Sequence, residues 1–226
     1  MKNKQKSILA VMVGLAILGL IGCEKSSSFP TISKNMATKL ASDTALKKGW
    51  AELPIPIFIS STVPEKFRTA CLHAMDMWSE EAGIQLFDYQ GITDSTIVGD
   101  DGINGMYWDT KPNSKGYFAE TKKSWLGESM IVEADVMFYG SPDDFAELKC
   151  DGGKDVCVSP IKKKDIATTA LHELGHVLGF VHTDTPDRLM NPDFTYGDVY
   201  LRFDDEVATE LKAVYNPTVM AGGDAS

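Results

Sequence analysis

The chain has 226 residues, of which 43% are hydrophobic and 24% are charged, a composition ordinary for a globular protein with one sizeable domain. Its 32 Asp and Glu outnumber its 22 Lys and Arg, and the formal net charge of -10 argues against a nucleic-acid partner, because phosphate backbones require a basic protein face. Four cysteines are too few for a scaffold built on disulfides. We expect one main domain, acting as a monomer.

The first 22 residues have the build of a secretory signal. A basic start with three lysines precedes an apolar run over residues 8–22, which is shorter than the ~20 residues that span a bilayer. The run ends in LIGC at Cys23, which resembles the lipobox of bacterial lipoproteins. That resemblance implies cleavage after residue 22 and a lipid on Cys23. An uncleaved anchor helix, or secretion in which Cys23 has no role, are the alternatives.

The lipobox implies a location in a bacterial cell envelope, outside the cytoplasm. Glu24 after the cysteine favours the outer membrane, by a rule taken from enteric bacteria. Without residues 1–22 the chain has 19 basic and 32 acidic residues, a formal charge of -13, so the lipid rather than charge would hold it to a membrane. Residues 23–50 are polar and predict a flexible tether, 51–217 predict the folded domain, and 218–226 a frayed tail.

The folded part begins with a strand and a long helix. Residues 53–60 are rich in β-branched side chains, with prolines only at the start, and predict the first strand. Residues 64–83 carry apolar side chains three and four apart and predict an amphipathic helix, followed by a second strand over 85–89. Cys71 lies on the apolar stripe and is expected to be a buried, inert thiol, whereas His73 lies off it and is interpreted as a surface residue.

An acidic loop, GDDGIN, follows at residues 99–104 and leads into a short strand over 105–108. Asp100, Asp101 and Asn104 offer the oxygen ligands that calcium prefers. The pattern does not complete a known calcium loop, so plain solvation of an acidic turn is the favoured alternative. Calcium at this loop is therefore kept as the alternative, as a second cofactor.

The strongest strand pattern is MIVEADVMFY, residues 130–139. Side chains alternate between the two faces of a strand, so Glu133 and Asp135 share one face, opposite a face that bears Val132, Ala134 and Val136.

Cys150 and Cys157 flank a Gly-Gly turn. In an exported protein this spacing predicts a local disulfide. A pair of metal-binding thiols is the alternative, but no second cysteine pair or nearby histidine supports it.

The most informative stretch is TALHELGHVLGFVH, residues 169–182, which follows a helix-capping residue at Asp165. Three of the four histidines of the chain lie here. Residues four apart share one face of a helix, so His172 and His176 can ligate one metal ion, and a turn at Gly179 can bring His182 back as a third ligand. Three neutral nitrogens with an open fourth position are typical of one catalytic zinc ion.

Glu173 follows the first ligand, and this position suits a general base for a zinc-activated water. Further along, residues 203–215 predict a final helix with three acidic residues in its first turn, where they oppose the helix dipole.

Three features make the chain similar to the metzincin zinc endopeptidases, and most of all to the bacterial matrixins. They are the HExxHxxGxxH pattern at 172–182, LMNP at 189–192, which is similar to the Met-turn of the family, and ADVMF at 134–138, which is similar to its edge strand. The likeness covers roughly residues 53–217. It implies an α+β fold of the metzincin type: a twisted five-stranded mixed sheet with one antiparallel edge strand, three helices, and a zinc cleft between a large upper and a small lower subdomain.

The resemblance also implies roles for individual residues. Met190 would support the zinc ligands through packing, and Asp204 or Asp205 would join the last helix to the Met-turn. Pro192 and Phe194 would line a specificity pocket. The strand over 130–139, with Val132, Ala134 and Val136, would pair with an extended protein or peptide substrate.

The function implied by the residues and the resemblance is that of a zinc-dependent endopeptidase, with Glu173 as the general base. A catalytically silent, lipid-anchored binding protein on the same fold is the first alternative, although the intact Glu173 argues against it. A zinc enzyme that acts on another bond, such as a deacetylase or an amidase, is the second.

Overall fold

The computed structural model describes residues 49–216, which contain three α-helices and ten strands. The helices are α1 (Glu65–Ala82), α2 (Ile166–Val177) and α3 (Asp205–Tyr215). The strands are β1 (Gly49–Trp50), β2 (Ile55–Ser60), β3 (Phe87–Thr93), β4 (Gly105–Asp109), β5 (Ala119–Leu126), β6 (Met130–Tyr139), β7 (Phe145–Ala146), β8 (Val156–Val158), β9 (Lys164–Asp165) and β10 (Asp198–Tyr200). None of these helices is long and apolar enough to cross a membrane.

The five longer strands form one sheet in the order β3-β2-β4-β6-β5, in which every neighbouring pair is parallel except β5 with β6. The two-residue strand β1 lies beside the start of β6. This arrangement, with its three helices, confirms the α+β mixed sheet with one antiparallel edge strand. The parallel order requires crossover connections, and α1 supplies the one between β2 and β3.

The prediction that residues 134–138 belong to the edge strand was wrong. Residues 130–139 form β6, which is inside the sheet because it pairs with β1 and β4 on one side and with β5 on the other. The antiparallel edge strand is β5, AETKKSWL, a segment that the sequence patterns did not identify. The sequence of β5 contains two lysines and no alternation of apolar side chains, so it does not have the pattern that predicts a strand. Charged side chains are nevertheless common on exposed sheet edges.

The predictions for the signal segment, Cys23 and the tail at 218–226 lie outside the described residues, as does most of the tether. The tether prediction of 23–50 extends too far, since Gly49 and Trp50 form β1. Backbone pairing with β6 fixes this strand, and the Trp50 indole Nε1 donates to the Val177 carbonyl at 2.8 Å. The first described residues are therefore hydrogen-bonded to the C-terminal end of α2.

Helix α1 matches its prediction at both ends. Pro64 precedes it, and Gly83 ends it in the left-handed conformation with φ 69°. Its buried stripe includes Cys71, which is fully covered, and burial raises the pKa of this thiol to about 12. Trp78 lies on the same stripe, and its Nε1 donates to the Leu171 carbonyl of α2 at 2.8 Å. The two helices are therefore held together by a buried hydrogen bond as well as by packing.

The acidic face of β6 holds the 99–104 loop. Asp135 accepts hydrogen bonds from the amides of Gly99 and Gly105 at 2.6 and 2.8 Å, and Glu133 accepts one from Gly102 at 2.7 Å. Both faces of β6 are buried, so these carboxylates act as anchors for backbone amides rather than as solvated groups.

The predicted calcium ligand Asn104 has a different role. Its amide nitrogen donates to the Pro56 carbonyl at 2.9 Å and its amide oxygen accepts from the Ala134 amide at 2.9 Å, so both polar ends are used within the sheet. The loop therefore lacks the third oxygen ligand that the calcium prediction required. Calcium binding remains a prediction without a described ligand set.

Cys150 and Cys157 are bonded, as the sequence predicted. The strand β8 that carries Cys157 pairs antiparallel with β10, so the disulfide loop is tied to the segment that follows the predicted Met-turn.

Replacing Cys157 by serine is expected to lower the free energy of unfolding by about 2–3 kcal/mol, because the short loop is no longer closed in the unfolded chain. Urea unfolding measures this loss. The Cys150→Ser variant should lose the same amount, and the double variant should be no less stable than either single variant. An additive double loss would show that the two thiols act separately.

Candidate metal centre

Helix α2 brings the first two candidate ligands to one place. Asp165 begins the helix by accepting from the Thr168 amide and hydroxyl at 2.8 and 2.7 Å, and the Leu148 amide donates to its other oxygen at 2.8 Å. The chain then leaves the helix at Gly179, where φ is 102°, a value that favours glycine. The predicted cap and the predicted turn are both present, and the turn returns His182 towards the helix.

The three histidine side chains meet at their Nε2 atoms. His182 Nε2 lies 3.2 Å from His172 Nε2 and 2.9 Å from His176 Nε2. Among residues 49–216, these three form the one group of His, Cys, Asp or Glu residues spaced to share an ion. Ligands ~2.0–2.1 Å from a tetrahedral ion lie roughly 3.3 Å apart, so the observed spacing is close to that of zinc ligands.

The protonation of two imidazoles is set by their outer contacts. His172 Nδ1 lies 2.7 Å from the Leu189 carbonyl, and His176 Nδ1 lies 2.9 Å from the Phe180 carbonyl. A carbonyl can only accept, so each Nδ1 carries the proton and each Nε2 presents a lone pair. Converging lone pairs repel unless a cation lies between them, and this donor set therefore fits a zinc ion.

Burial keeps these imidazoles neutral. It lowers the pKa of His172 to about 4 and that of His176 to about 3, and it also lowers the pKa of His182. Neighbouring imidazoles lower the pKa of His172 and His176 further, and the charge of Lys123 lowers that of His182. Neutral imidazole is the form that binds metal, so protons compete with a metal ion only at acidic pH.

Glu173 is placed beside the ligands but is not one of them. Its side chain is 6% exposed, and its Oε2 accepts from the Thr121 hydroxyl at 2.7 Å. Burial raises the pKa of Glu173 to about 7, while the Thr121 hydrogen bond and Lys123 lower it. Thr121 lies on β5 and was missed by sequence analysis, because a single threonine 52 residues away carries no local signal.

Met190 packs beneath α2, as predicted. It is 2% exposed, and a Cβ built on Gly175 would lie 2.5 Å from its sulfur and 3.0 Å from the Trp78 ring. The Met190 carbonyl accepts from the Thr183 amide at 3.0 Å, directly after the third histidine. Met190 therefore contacts the helix between the first two candidate ligands.

Gly175→Ala is expected to destabilise the domain by about 1–3 kcal/mol, because the added methyl group overlaps Met190 and Trp78. This destabilisation is the net effect: the cost of the overlap is larger than the ~1 kcal/mol that alanine gains over glycine within a helix. Thermal or urea unfolding of the single variants and of Gly175→Ala with Met190→Ala measures it. In the Met190→Ala background the overlap with Met190 is removed, so Gly175→Ala should cost less; an equal cost would exclude that overlap as the cause.

The last helix is joined to the Met-turn through Asp204. Its Oδ1 accepts from the Val207 amide at 3.1 Å, which caps α3, and lies 3.3 Å from Nη1 of Arg188, two residues before Met190. Arg188 also pairs with Glu206. Asp204, rather than Asp205, therefore makes the predicted connection.

A cleft of about 1000 Å³ runs past the three histidines and Glu173. Pro192 and Phe194 line it, and the Phe194 ring lies 5.7 Å from the His172 ring. Val132, Ala134 and Val136 do not line it: they belong to β6, and the last two are fully buried in the core. The opposite wall is formed by β5, including Thr121 and Lys123.

The domain combines a mixed sheet that has an antiparallel edge strand with a helix that carries two histidines and a glutamate. A third histidine follows a glycine turn, and a methionine lies beneath the helix. Together these features define a zinc metallopeptidase domain. The chain belongs to the matrixin family, whose model matches residues 58–216. No curated protein sequence matches the chain. Family membership implies zinc-dependent peptidase activity, and the three histidines are consistent with the zinc site.

Proposed function

We propose that the chain is a zinc endopeptidase that cleaves extended polypeptides at a bacterial cell envelope. The observation that carries the proposal is the carboxylate of Glu173, buried beside three converging imidazoles in a cleft that residues of β5 line. One zinc ion held by His172, His176 and His182 would supply an acidified water and polarise the scissile carbonyl.

Glu173 and Thr121 have distinct roles in the proposed reaction. Glu173 takes a proton from the attacking water and delivers it to the nitrogen of the leaving amine. The Thr121 hydroxyl donates to one carboxylate oxygen and so orients the other one for proton transfer. A raised pKa suits this exchange, since the same group must accept a proton and then release it.

Strand β5 offers the binding edge for the peptide. It pairs with β6 on one side, and none of the other described strands pairs with its opposite side. The N–H and C=O groups on that side can therefore hydrogen-bond an extended substrate, which adds to the sheet as a further strand. This binding mode suits polypeptides better than small amides.

Zinc content and cleavage of an unfolded protein, measured together on residues 24–226, test the proposal. One zinc per chain with cleavage supports it. One zinc without cleavage of any peptide in a diverse library would instead favour a silent binding protein.

The envelope location depends on the lipid at Cys23, with the domain acting as a monomer outside the cytoplasm. Cys23→Ser is expected to release the protein from membranes into the soluble fraction and to abolish incorporation of labelled palmitate. Peptidase activity of the released domain should be unchanged. Membrane retention of this variant would contradict the anchor, without affecting the assignment of the zinc site.

A further inference from the structure

A buried lysine that the mechanism does not use lies in the cleft wall beside the metal centre. Lys164, in β9, is 7% exposed and lines the cleft. Its Nζ donates to the Phe194 carbonyl at 2.6 Å, and the Phe194 ring lies 5.7 Å from the ring of the ligand His172. A single residue therefore separates this ammonium group from the metal site.

Aromatic faces rather than carboxylates surround the ammonium group. Its Nζ lies 4.2 Å from the centre of the Phe118 ring and 5.2 Å from that of Tyr196. The ion pairs between side chains of residues 49–216 do not include Lys164. Asp198 lies beyond ion-pair distance of Lys164, but its charge raises the pKa of the lysine. The Asp198 carboxylate accepts from the Thr195 amide and hydroxyl at 2.6 and 2.9 Å.

The other charges of the cleft have different partners. Lys123 lies on the opposite wall, where its charge lowers the pKa of Glu173, His176 and His182. Glu120 accepts from the Tyr139 hydroxyl, Glu173 accepts from Thr121, and Asp193 acts on His182. None of these carboxylates lies within ion-pair distance of Lys164.

An ammonium group has three N–H donors, and the Phe194 carbonyl accepts from Lys164. A cation withdrawn from water is stabilised when an anion and further hydrogen bonds reach it. Lys164 is among the residues that line the cleft, so the anion can come from a bound substrate. The Phe118 ring, which also lines the cleft, would then pack against the methylene groups of an acidic side chain.

We propose that Lys164 is a specificity-determining residue that selects aspartate or glutamate in the substrate, within two residues of the scissile bond. The proposal rests on the proposed peptidase function and names its substrate class: polypeptides with an acidic residue beside the cleavage site. The carboxylate would accept a charge-assisted hydrogen bond from Lys164, while the peptide backbone lies along β5.

The test uses pairs of peptides that differ by Glu or Gln at one position, scanned over the two residues on either side of the cleaved bond. In the wild-type enzyme we expect kcat/KM to favour Glu by about 10-fold or more at one position, the range of a hydrogen bond to a charged group. Lys164→Met should bring this ratio to about 1. Lys162→Met, which removes an exposed lysine two residues away, should leave the ratio unchanged.

The ratio is taken within one enzyme, so a general loss of activity in the variant cancels. If Lys164→Met does not fold, Lys164→Gln replaces it, because glutamine can still donate to the Phe194 carbonyl. Equal cleavage of both peptides by the wild type would overturn the inference and leave the peptidase function intact. So would a preference that survives in Lys164→Met, or one that is lost only in Lys123→Met. Absence of any cleavage would overturn the peptidase function itself.

Discussion

Glu173→Gln is expected to lower kcat/KM for peptide cleavage by about 10²–10⁴-fold, the contribution of a positioned general base, while one zinc remains bound per chain. Glutamine has nearly the same shape, and its amide oxygen can accept the Thr121 hydrogen bond that Glu173 accepts at 2.7 Å. It cannot take up the proton of the attacking water. The three histidines keep their positions, because none of their contacts with Leu189 and Phe180 involves Glu173.

Steady-state kinetics with a fluorogenic peptide, together with metal analysis of the same preparations, measures this effect. Glu80→Gln is the matched control: it makes the same change on an exposed position of α1 and should keep both activity and zinc. Near-native turnover by Glu173→Gln would exclude the base assignment. Loss of zinc along with turnover would mean that the residue maintains the site rather than moves protons.

The local part of the metal centre could be predicted from sequence, because its ligands are close in the chain. Two of the histidines lie one helical turn apart, and the third follows a glycine turn. The geometry of α2 and of Gly179 is enough to bring the three together. Met190 was found through similarity to the family and lies where expected. These elements depend on contacts within about twenty residues.

The contacts made across the fold could not be predicted in the same way. Strand β5 has the polar, lysine-rich sequence of an exposed edge, and the more apolar β6 was taken for the edge although it is central. The partner of Glu173 and the far wall of the cleft were missed with β5. Lys164 ends a run of three lysines that suggests a solvated segment, but contacts across the fold bury it, among them the pairing of β9 with β7 and the Phe118 and Tyr196 rings.

The position of β5 gives the site its chemical character. The strand covers Glu173, and this burial raises the pKa of the carboxyl to about 7. Its opposite edge remains free for backbone pairing within the described domain. In the proposed mechanism one strand therefore tunes the base and binds the substrate, so a change that displaced β5 would impair the proton transfer and the binding together.

His176→Ala is expected to weaken zinc binding by at least about 100-fold, beyond the 10–100-fold that loss of an outer-shell contact costs, because a ligand itself is removed. Peptidase activity should fall to background at limiting zinc. Zinc binds the folded chain, so added zinc should stabilise the wild type by about 2.7 kcal/mol at 100 times its dissociation constant. The same addition should leave the melting temperature of His176→Ala almost unchanged.

The fourth histidine of the chain provides the control, because His73 is exposed on α1 and lies outside the cluster. His73→Ala should keep the affinity, the thermal shift and the activity of the wild type. Removal of zinc from the wild type by a chelator should abolish cleavage, and one equivalent of zinc should restore it, whereas His176→Ala should not recover. Wild-type zinc affinity in His176→Ala would mean that the converging imidazoles are a packing feature and would remove the foundation of the proposed mechanism.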